Sequence, residues 1–461
     1  MSMIKVENLT FAYPSGYDNV FENVSFQIDT DWKLGFVGRN GRGKTTFLKL
    51  LMGRYPYQGR ITASTIFDYF PYKVSDENWM TYDALSEICP TAQQWEFERE
   101  LSLLEAETDI LWQSFDTLSK GQQTKAMLAA LFLNSGHFLL IDEPTNHLDM
   151  KGRQTVAAYL KKKKGFILVS HDRNFLDGCV DHILSINRAD IEVQSGNFSS
   201  WFENFQKNQT AKIAKNQRLQ KDMERLKKAA DRTDSWAGKV EASKYGNGPV
   251  DRGYIGHKSA KMMKRAKSIK SRQQKAAEEK STLLKNIEKT EVLKISPLKY
   301  KTDRLALDGK NGSGKSSILK LVAGRGDIPE YRGNISIGSN LAVSYVPQDA
   351  SFLKGSLSEF AEAQNIDESL FKTILRKMDF ERVQFEKNME DFSEGQKKKV
   401  LLAGSLCQQA HLYIWDEPLN FIDIYSRMQI QQLIEDFSPT MIFVEHDEAF
   451  RDAIATGVVR L

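Results

Sequence analysis

Apolar and polar residues alternate from Met3 to Phe26, with a turn signal at Pro14-Ser15-Gly16, and this period of two predicts antiparallel strands. Lys33–Val37 reads as a short apolar strand that leads into a glycine-rich turn, with a helix over Thr46–Leu51 behind it. His137–Ile141 and Phe166–Ser170 read as buried apolar strands, and a helix is expected over Gln123–Leu133. Beyond Trp201 the period changes. Phe202, Phe205, Gln209 and Ile213 open a three-and-four spacing that continues to Ala230, and Met262, Ala266 and Ile269 open another that continues to Ile287. Both are amphipathic helices able to pair as an antiparallel coiled coil. Between them, Arg232–Gly256 contains Gly238, Gly246, Gly248, Pro249 and Gly253, so the helix is expected to break there. Helices of roughly 28 residues reach about 40 Å at about 1.5 Å per residue.

A chain of 461 residues exceeds what one core supports, so several domains are expected. No apolar run approaches the roughly 18 residues that cross a bilayer. The start MSMIKVENLTFAYP lacks a basic-then-apolar leader pattern, so a cytoplasmic protein with no membrane partner is expected. Cys89, Cys179 and Cys407 are too scattered for a zinc site or a disulfide framework and read as buried thiols. The net charge of +4 hides an uneven distribution. Gln206–Thr290 holds 23 Lys and Arg against 9 Asp and Glu, an excess of 14, which leaves the rest of the chain ten units negative. A single charge run is commonly a solvated helix face, but an excess this large on an acidic protein points to a polyanionic partner.

The turn after Val37 is Gly38-Arg39-Asn40-Gly41-Arg42-Gly43-Lys44-Thr45, which fits the phosphate-loop pattern G-x-x-x-x-G-K-[ST] between a strand and a helix. Glycines let backbone N–H groups close on phosphates, and the helix N-terminus adds positive potential. Gly38, Asn40, Gly41, Gly43, Lys44, Thr45 and Thr46 are therefore expected to hold ATP, with Lys44 on the β/γ-phosphates and Thr45 on Mg2+. The strand His137–Ile141 ends in Asp142, placed for Mg2+, and Glu143, placed to activate water. His171 follows Phe166–Ser170 where a γ-phosphate sensor is needed, and Leu118-Ser119-Lys120-Gly121-Gln122 opens a helix.

The same order recurs. Gly309, Asn311, Gly312, Gly314, Lys315, Ser316 and Ser317 form a second phosphate loop, and Gln348 follows Val346-Pro347. Phe392-Ser393-Glu394-Gly395-Gln396 opens a helix, Asp416 and Glu417 end a strand, and His446 closes the set. Gly38, Gly121, Asp142 and His171 are displaced from their counterparts Gly309, Gly395, Asp416 and His446 by 271, 274, 274 and 275 positions, which marks a duplicated domain. The halves differ before the loop: about 35 residues precede Gly38, but only about a dozen separate Pro297 from Gly309. Either the second half lacks this subdomain or a segment is missing from this sequence; an uncovered sheet edge is a liability, which favours the second, and the final strand pair after His446 is expected to be clipped.

These residues resemble the ATP-binding cassette superfamily, an α/β class with the P-loop NTPase fold. LSKGQ resembles its signature motif (Ser119, Gly121 and Gln122, with Ser393, Gly395 and Gln396 in the second copy), and Leu148-Asp149 and Ile422-Asp423 resemble its D-loop. His171 and His446 resemble its switch histidine. Tyr13 resembles the aromatic that stacks on adenine, with Phe11 and Tyr17 as weaker candidates. The resemblance implies ATP hydrolysis by Glu143 and Glu417 at two sites, each phosphate loop facing the other half's signature. Mg2+ would be held by Thr45 and Asp142 at one site and by Ser316, Gln348 and Asp416 at the other. One departure stands out: Tyr72 occupies the position of Gln348 and cannot supply an amide oxygen to Mg2+, so turnover there is expected to be altered.

Two cassettes (1–200 and 294–461) joined by a basic helical hairpin (201–293), with no membrane span, resemble the ABC-F group of translation-associated ATPases, and GYIGHKSAKMMKRAK and Tyr72 resemble its Vga/Lsa-type resistance proteins. The implied partner is the bacterial 70S ribosome: entry at its exit site beside exit-site proteins, displacement of the P-site tRNA, and release of drugs near the peptidyl-transferase centre. The alternative is a housekeeping ABC-F factor that rescues stalled ribosomes. Lys239, Lys244, Tyr245, Arg252, Tyr254, Lys261, Lys264 and Arg265 combine basic and aromatic groups suited to phosphate contact and base stacking in 23S rRNA or tRNA. The protein is expected to act as a monomer through pairing of its two halves.

Overall fold

The computed structural model describes residues 2–14, 19–186, 191–242, 257, 260–261, 264–265, 267–272, 274–275, 277, 292–298, 300–310, 312–324 and 332–461. The chain divides into two units. The first comprises Met1–Ile186, Ile191–Trp201 and Thr290–Leu461, and the second comprises Asn187–Asp190 and Phe202–Lys289.

Within the first unit, β1 (Met3–Phe11) pairs antiparallel with β2 (Phe21–Asp29) and β4 (Gln58–Thr62), giving a three-stranded sheet of order β2-β1-β4. A six-stranded sheet follows, of order β5-β6-β7-β3-β8-β9, from β3 (Lys33–Val37), β5 (Ile66–Phe70), β6 (His137–Asp142), β7 (Phe166–Val169), β8 (His182–Ile186) and β9 (Ile191–Ser195). All its pairings are parallel except β8 with β9. Leu139, Leu140 and Ile141 of β6 and all four residues of β7 are buried, as strands covered on both faces must be.

The second half repeats this sheet with five described strands in the order β11-β12-β13-β10-β14: β10 (Arg304–Asp308), β11 (Val343–Val346), β12 (Leu412–Asp416), β13 (Met441–Val444) and β14 (Gly457–Arg460). Every residue of β12 is buried. Among the described residues this half has no counterpart of the three-stranded sheet. Gly333-Asn334-Ile335 aligns with Gly59-Arg60-Ile61 of β4, yet it forms no strand, and Ile335 and Ile337 lie exposed. The physical reason is pairing: β4 exists because β1 satisfies its backbone, and without such a partner the segment gains nothing by extending.

A helix whose residues from Phe202 onward belong to the second unit runs Phe198–Ala242 without a break, through Gly238 and ten residues beyond Arg232, where the loop is expected to start. Lys261, Lys264 and Arg265 are helical and exposed. Residues 243–256, with most of the expected loop, lie outside the described residues. Cys89 and Cys179 are buried, Cys407 is half-buried, and all three are free.

Candidate functional site

Each phosphate loop bridges a sheet strand and a helix. Gly41 and Gly43 adopt φ of 82° and 91°, Gly312 and Gly314 of 82° and 92°, a left-handed conformation that glycine takes without strain. The loops wrap their own lysines. Lys44 Nζ donates to the carbonyls of Gly38 (2.7 Å) and Arg39 (3.2 Å) and to Asn40 Oδ1 (3.4 Å). Lys315 Nζ donates likewise to Gly309 (2.7 Å) and Lys310 (3.0 Å). Both lysines are buried, and burial pushes the Lys44 ammonium below its ordinary pKa against the pull of Asp423, Glu143 and Asp142. Each buried ammonium is held by carbonyl oxygens of its own loop at the start of a helix, where phosphate would bring the opposite charge.

In the first cassette Thr45 Oγ1 donates to Asp142 Oδ2 at 2.9 Å, and Tyr69 Oη donates to the same oxygen at 3.0 Å. Glu143 has φ of 53° and points at His171, whose Nε2 lies 3.2 Å from Glu143 Oε1 and 3.1 Å from Asn40 Oδ1. The approach lacks hydrogen-bond alignment, so Glu143 Oε1 is buried with no hydrogen-bond partner. Burial, with Asp142 adding to it, pushes the Glu143 carboxyl up to about 8, and burial together with Lys44 holds His171 well below the usual imidazole range. Burial thus disfavours the charged form of both partners.

In the second cassette Glu417 has φ of 46° and is fully engaged. Its Oε2 accepts from Gln348 Nε2 at 2.9 Å and from Asn420 Nδ2 at 2.5 Å, and His446 Nε2 lies 3.3 Å from Oε1. Burial acts to raise this carboxyl, but His446, Gln348 and Asn420 together hold it below its ordinary value. Asp416 is raised by burial, against a nearby Ser316 hydroxyl, and neither of its buried carboxylate oxygens has a hydrogen-bond partner. Orphaned buried oxygens beside a serine and a glutamine fit a hard divalent cation. Ser316, Gln348 and Asp416 would hold Mg2+ here, and Thr45 with Asp142 in the first cassette, supplying charge neutralisation of the phosphates. Tyr72 does not join: its hydroxyl donates to Glu87 Oε1 at 3.2 Å, toward the helix Thr81–Ile88.

Ser119 and Ser393 cap the helices Lys120–Leu131 and Glu394–Cys407, and each forms a capping box with Gln122 or Gln396. A cavity of about 750 Å³ is lined by Ser119, Gly121 and Gln122 on one side and by Gly312, Gly314, Lys315, Ser316, Ser317, Gln348, Glu417 and His446 on the other. The opposite pairing is in direct contact. Asn40 Nδ2 donates to the Phe421 carbonyl at 2.8 Å, and a Cβ built on Gly395 would sit 2.9 Å from Asn40 Nδ2. Both composite sites therefore draw on both cassettes. Tyr13 stands beside the first loop, its Oη 2.6 Å from Thr46 Oγ1, in an aromatic cluster with Phe11 and Tyr55. Asn311, Tyr17, Lys244, Tyr245, Arg252 and Tyr254 lie outside the described residues, and Lys239 lies in the helix ending at Ala242.

Sequence reading missed four contributing residues. Arg39 and Arg42 reach Asp379 across the cassettes, at 3.6 and 3.3 Å. Asn420 joins Gln348 on Glu417. Lys398 lies buried beneath the second site. The contrast of Arg42 with Ser313 and the run Lys397-Lys398-Lys399 were the only signals for Arg42 and Lys398, and neither names a partner.

Residues 21–146 and 295–420 each match the sequence profile of the ABC transporter family, together more than half the chain. The chain belongs to the ABC transporter family. Its two matched domains are of the ATP-binding type, which implies ATPase activity with ATP and, generally, Mg2+. No helix among the described residues is long and apolar enough to cross a membrane. The chain is 26% identical over 486 residues to the ribosome protection protein VmlR of Bacillus subtilis, covering 95% of this chain and 83% of that one. It is 27% identical over 467 residues to the ATP-binding protein Uup of Caulobacter vibrioides, covering 97% and 75%. These relatives support a place in the ABC-F group. The archaeal ribosome recycling factor aABCE1, solved in complex with the ribosomal stalk protein aP1, superposes with a TM-score of 0.62 at 17% identity, covering 98% of this chain and 87% of that one, and so shares the tandem fold.

Proposed function

We propose that this protein is an ATP-driven ribosome-binding factor of the ribosome-protection kind. It would enter the exit site of the bacterial 70S ribosome in its ATP-closed form, displace the P-site tRNA with its linker, and dislodge antibiotics acting at the peptidyl-transferase centre. The observation that carries this reading is the composite cavity, where Ser119–Gln122 of one cassette faces Lys315, Gln348 and Glu417 of the other. A nucleotide there would join the two halves, and loss of its γ-phosphate on hydrolysis would release them. The basic excess in the segment between the halves supports an RNA partner, and the relative named a ribosome protection protein supports the ribosome as that partner.

The test is co-sedimentation. Changing Glu143 and Glu417 together to Gln removes both water-activating carboxylates and should hold the ATP-bound form on 70S ribosomes. A double variant that sediments free of ribosomes with ATP present sinks the ribosomal reading. Deleting Lys244–Gly253 then separates the two ABC-F alternatives: lost drug protection with retained ATPase supports resistance, and unchanged protection removes the loop as effector.

A further inference from the structure

Lys398 is 2% exposed and belongs to none of the motifs above. It lies three residues after Gly395 in the helix Glu394–Cys407. Its Nζ donates to the carbonyl of Pro347 at 3.0 Å and to the carbonyl of Glu417 at 3.2 Å. Pro347 immediately precedes Gln348, and the Gln348 amide donates to the Glu417 carboxylate. Both partners of that hydrogen bond are thus anchored, through their backbones, to one ammonium. Glu417 also sits at a φ that L-residues rarely adopt, and the carbonyl leaving that turn is the one Lys398 holds.

The first cassette shows what happens without it. The equivalent residue there is Thr124, which is also buried, so the fold accepts a small side chain in this space. A threonine is too short to span from the helix to both loops. Tyr72 stands where Gln348 would be and turns to Glu87. The bridging lysine and the bridged glutamine therefore occur together at one site and are both replaced at the other. Burying an ammonium is costly unless it is well partnered, and here Asp416, Glu417, Glu445 and Asp349 surround it.

We propose that Lys398 is a positioning residue for ATP hydrolysis at the Glu417 site: by tying the Pro347 and Glu417 carbonyls together, it fixes Gln348 and Glu417 in register above the Lys315 phosphate loop. The inference rests on the reading of that site as hydrolytic, and it makes the two sites unequal. Among the described residues Lys398 makes its hydrogen bonds to Pro347 and Glu417 and to neither phosphate loop, so its loss should slow cleavage without weakening nucleotide binding.

The test is single-turnover rapid quench with labelled ATP on the full chain, using Lys398→Thr, the side chain the first cassette already houses. The wild-type protein should cleave both bound nucleotides. Lys398→Thr should cleave one at the wild-type rate and the other at least tenfold more slowly, with equilibrium ATP affinity within twofold of wild type. Lys398→Arg, which keeps a cation able to bridge two carbonyls, should bring the slow phase back to within threefold. A single phase at the wild-type rate in Lys398→Thr overturns the proposal. So does loss of ATP binding, the mark of general damage, and so does an Arg variant as slow as the Thr variant. Glu417→Gln is the control: if it too cleaves both nucleotides at full rate, the hydrolytic reading of the site falls, and the inference with it.

Discussion

Arg42 Nη2 donates to Asp379 Oδ2 across the two cassettes at 3.3 Å, and Arg39 Nη1 lies 3.6 Å from the same oxygen. Among the described residues the other interface has no such pair. Ser313 stands in place of Arg42, and Glu105, the counterpart of Asp379, pairs instead with Lys151 of its own cassette at 3.2 Å. The contact is partly exposed, so it contributes about 0.5–1 kcal/mol to closure. Replacing Arg42 by Ser should raise the ATP concentration for half-maximal closure by about two- to fivefold. The shift should shrink in 1 M salt, where exposed charges are screened. Swapping the charges, Arg42→Asp with Asp379→Arg, should recover most of it. Recovery is the decisive arm, because a phosphate-binding role for Arg42 alone would not be restored by a change on the other cassette.

Gln348 and Tyr72 occupy equivalent positions but face different ways. Gln348 contacts Glu417, whereas the Tyr72 hydroxyl contacts Glu87. Gln348→Ala should therefore slow cleavage at the Glu417 site by about tenfold or more, the scale of a lost positioning contact in a hydrolytic site. Tyr72→Phe should change turnover less than about twofold. It should instead lower thermal stability slightly, through one partly exposed hydrogen bond worth about 1 kcal/mol. Single-turnover cleavage at saturating ATP, alongside a melting curve, reads both. A tenfold loss in Tyr72→Phe would place that tyrosine in the chemistry after all.

Much of this was legible in the chain because the chemistry is local. A glycine-rich loop between strand and helix needs a contiguous run, so Gly38–Thr45 and Gly309–Ser316 announce themselves, and β6 and β12 are apolar enough to read as buried strands. The duplicated order then paired the sites. What resisted reading is long-range or permissive. Arg42 and Asp379 are 337 residues apart, and no pattern joins them. Lys398 sits in a lysine run that reads as a solvated face, whereas the helix N-terminus turns it inward onto two carbonyls. Gly238 does not stop its helix, because one glycine costs only about 1 kcal/mol in a long helix that continues on both sides. The segment at Gly333-Asn334-Ile335 has the pattern of β4 but, among the described residues, no strand to pair with, which no single-segment reading can register.

Glu143 predicts a pH dependence of stability. Its carboxyl is pushed up to about 8 in the folded protein, from an ordinary value of 4.5, chiefly by burial. An acid whose folded pKa is raised binds more protons folded than unfolded. Its contribution is present below about pH 4.5 and is lost as pH rises toward 8. Glutamine at this position keeps the neutral form at every pH. Glu143→Gln should thus melt with the wild type at pH 5, but about 2–4 °C higher at pH 8, for each kcal/mol of relief. Differential scanning calorimetry without nucleotide measures this directly. Equal melting at pH 8 would mean the carboxylate is solvated or paired in the folded chain.

Gly395 and Gly121 hold equivalent signature positions, yet their surroundings differ. A Cβ on Gly395 would sit 2.5 Å from the Phe421 carbonyl oxygen and 2.9 Å from Asn40 Nδ2, whereas one on Gly121 would come only to 3.3 Å from the His147 carbonyl. The first distance is one that real Cβ atoms do not show, and the atom it meets is backbone, so the helix start or the Phe421 turn must move. Phe421 itself has φ of 63°, a conformation with little room to adjust. Gly395→Ala should cost about 1–3 kcal/mol of stability and also break the Asn40 contact that joins the cassettes at this face. Gly121→Ala, facing an open cavity, should cost less than about 1 kcal/mol. Chemical denaturation of the two variants compares them in one measurement. If Gly121→Ala proves the more damaging, the direct contact between the first phosphate loop and the second signature is not part of the folded state in solution.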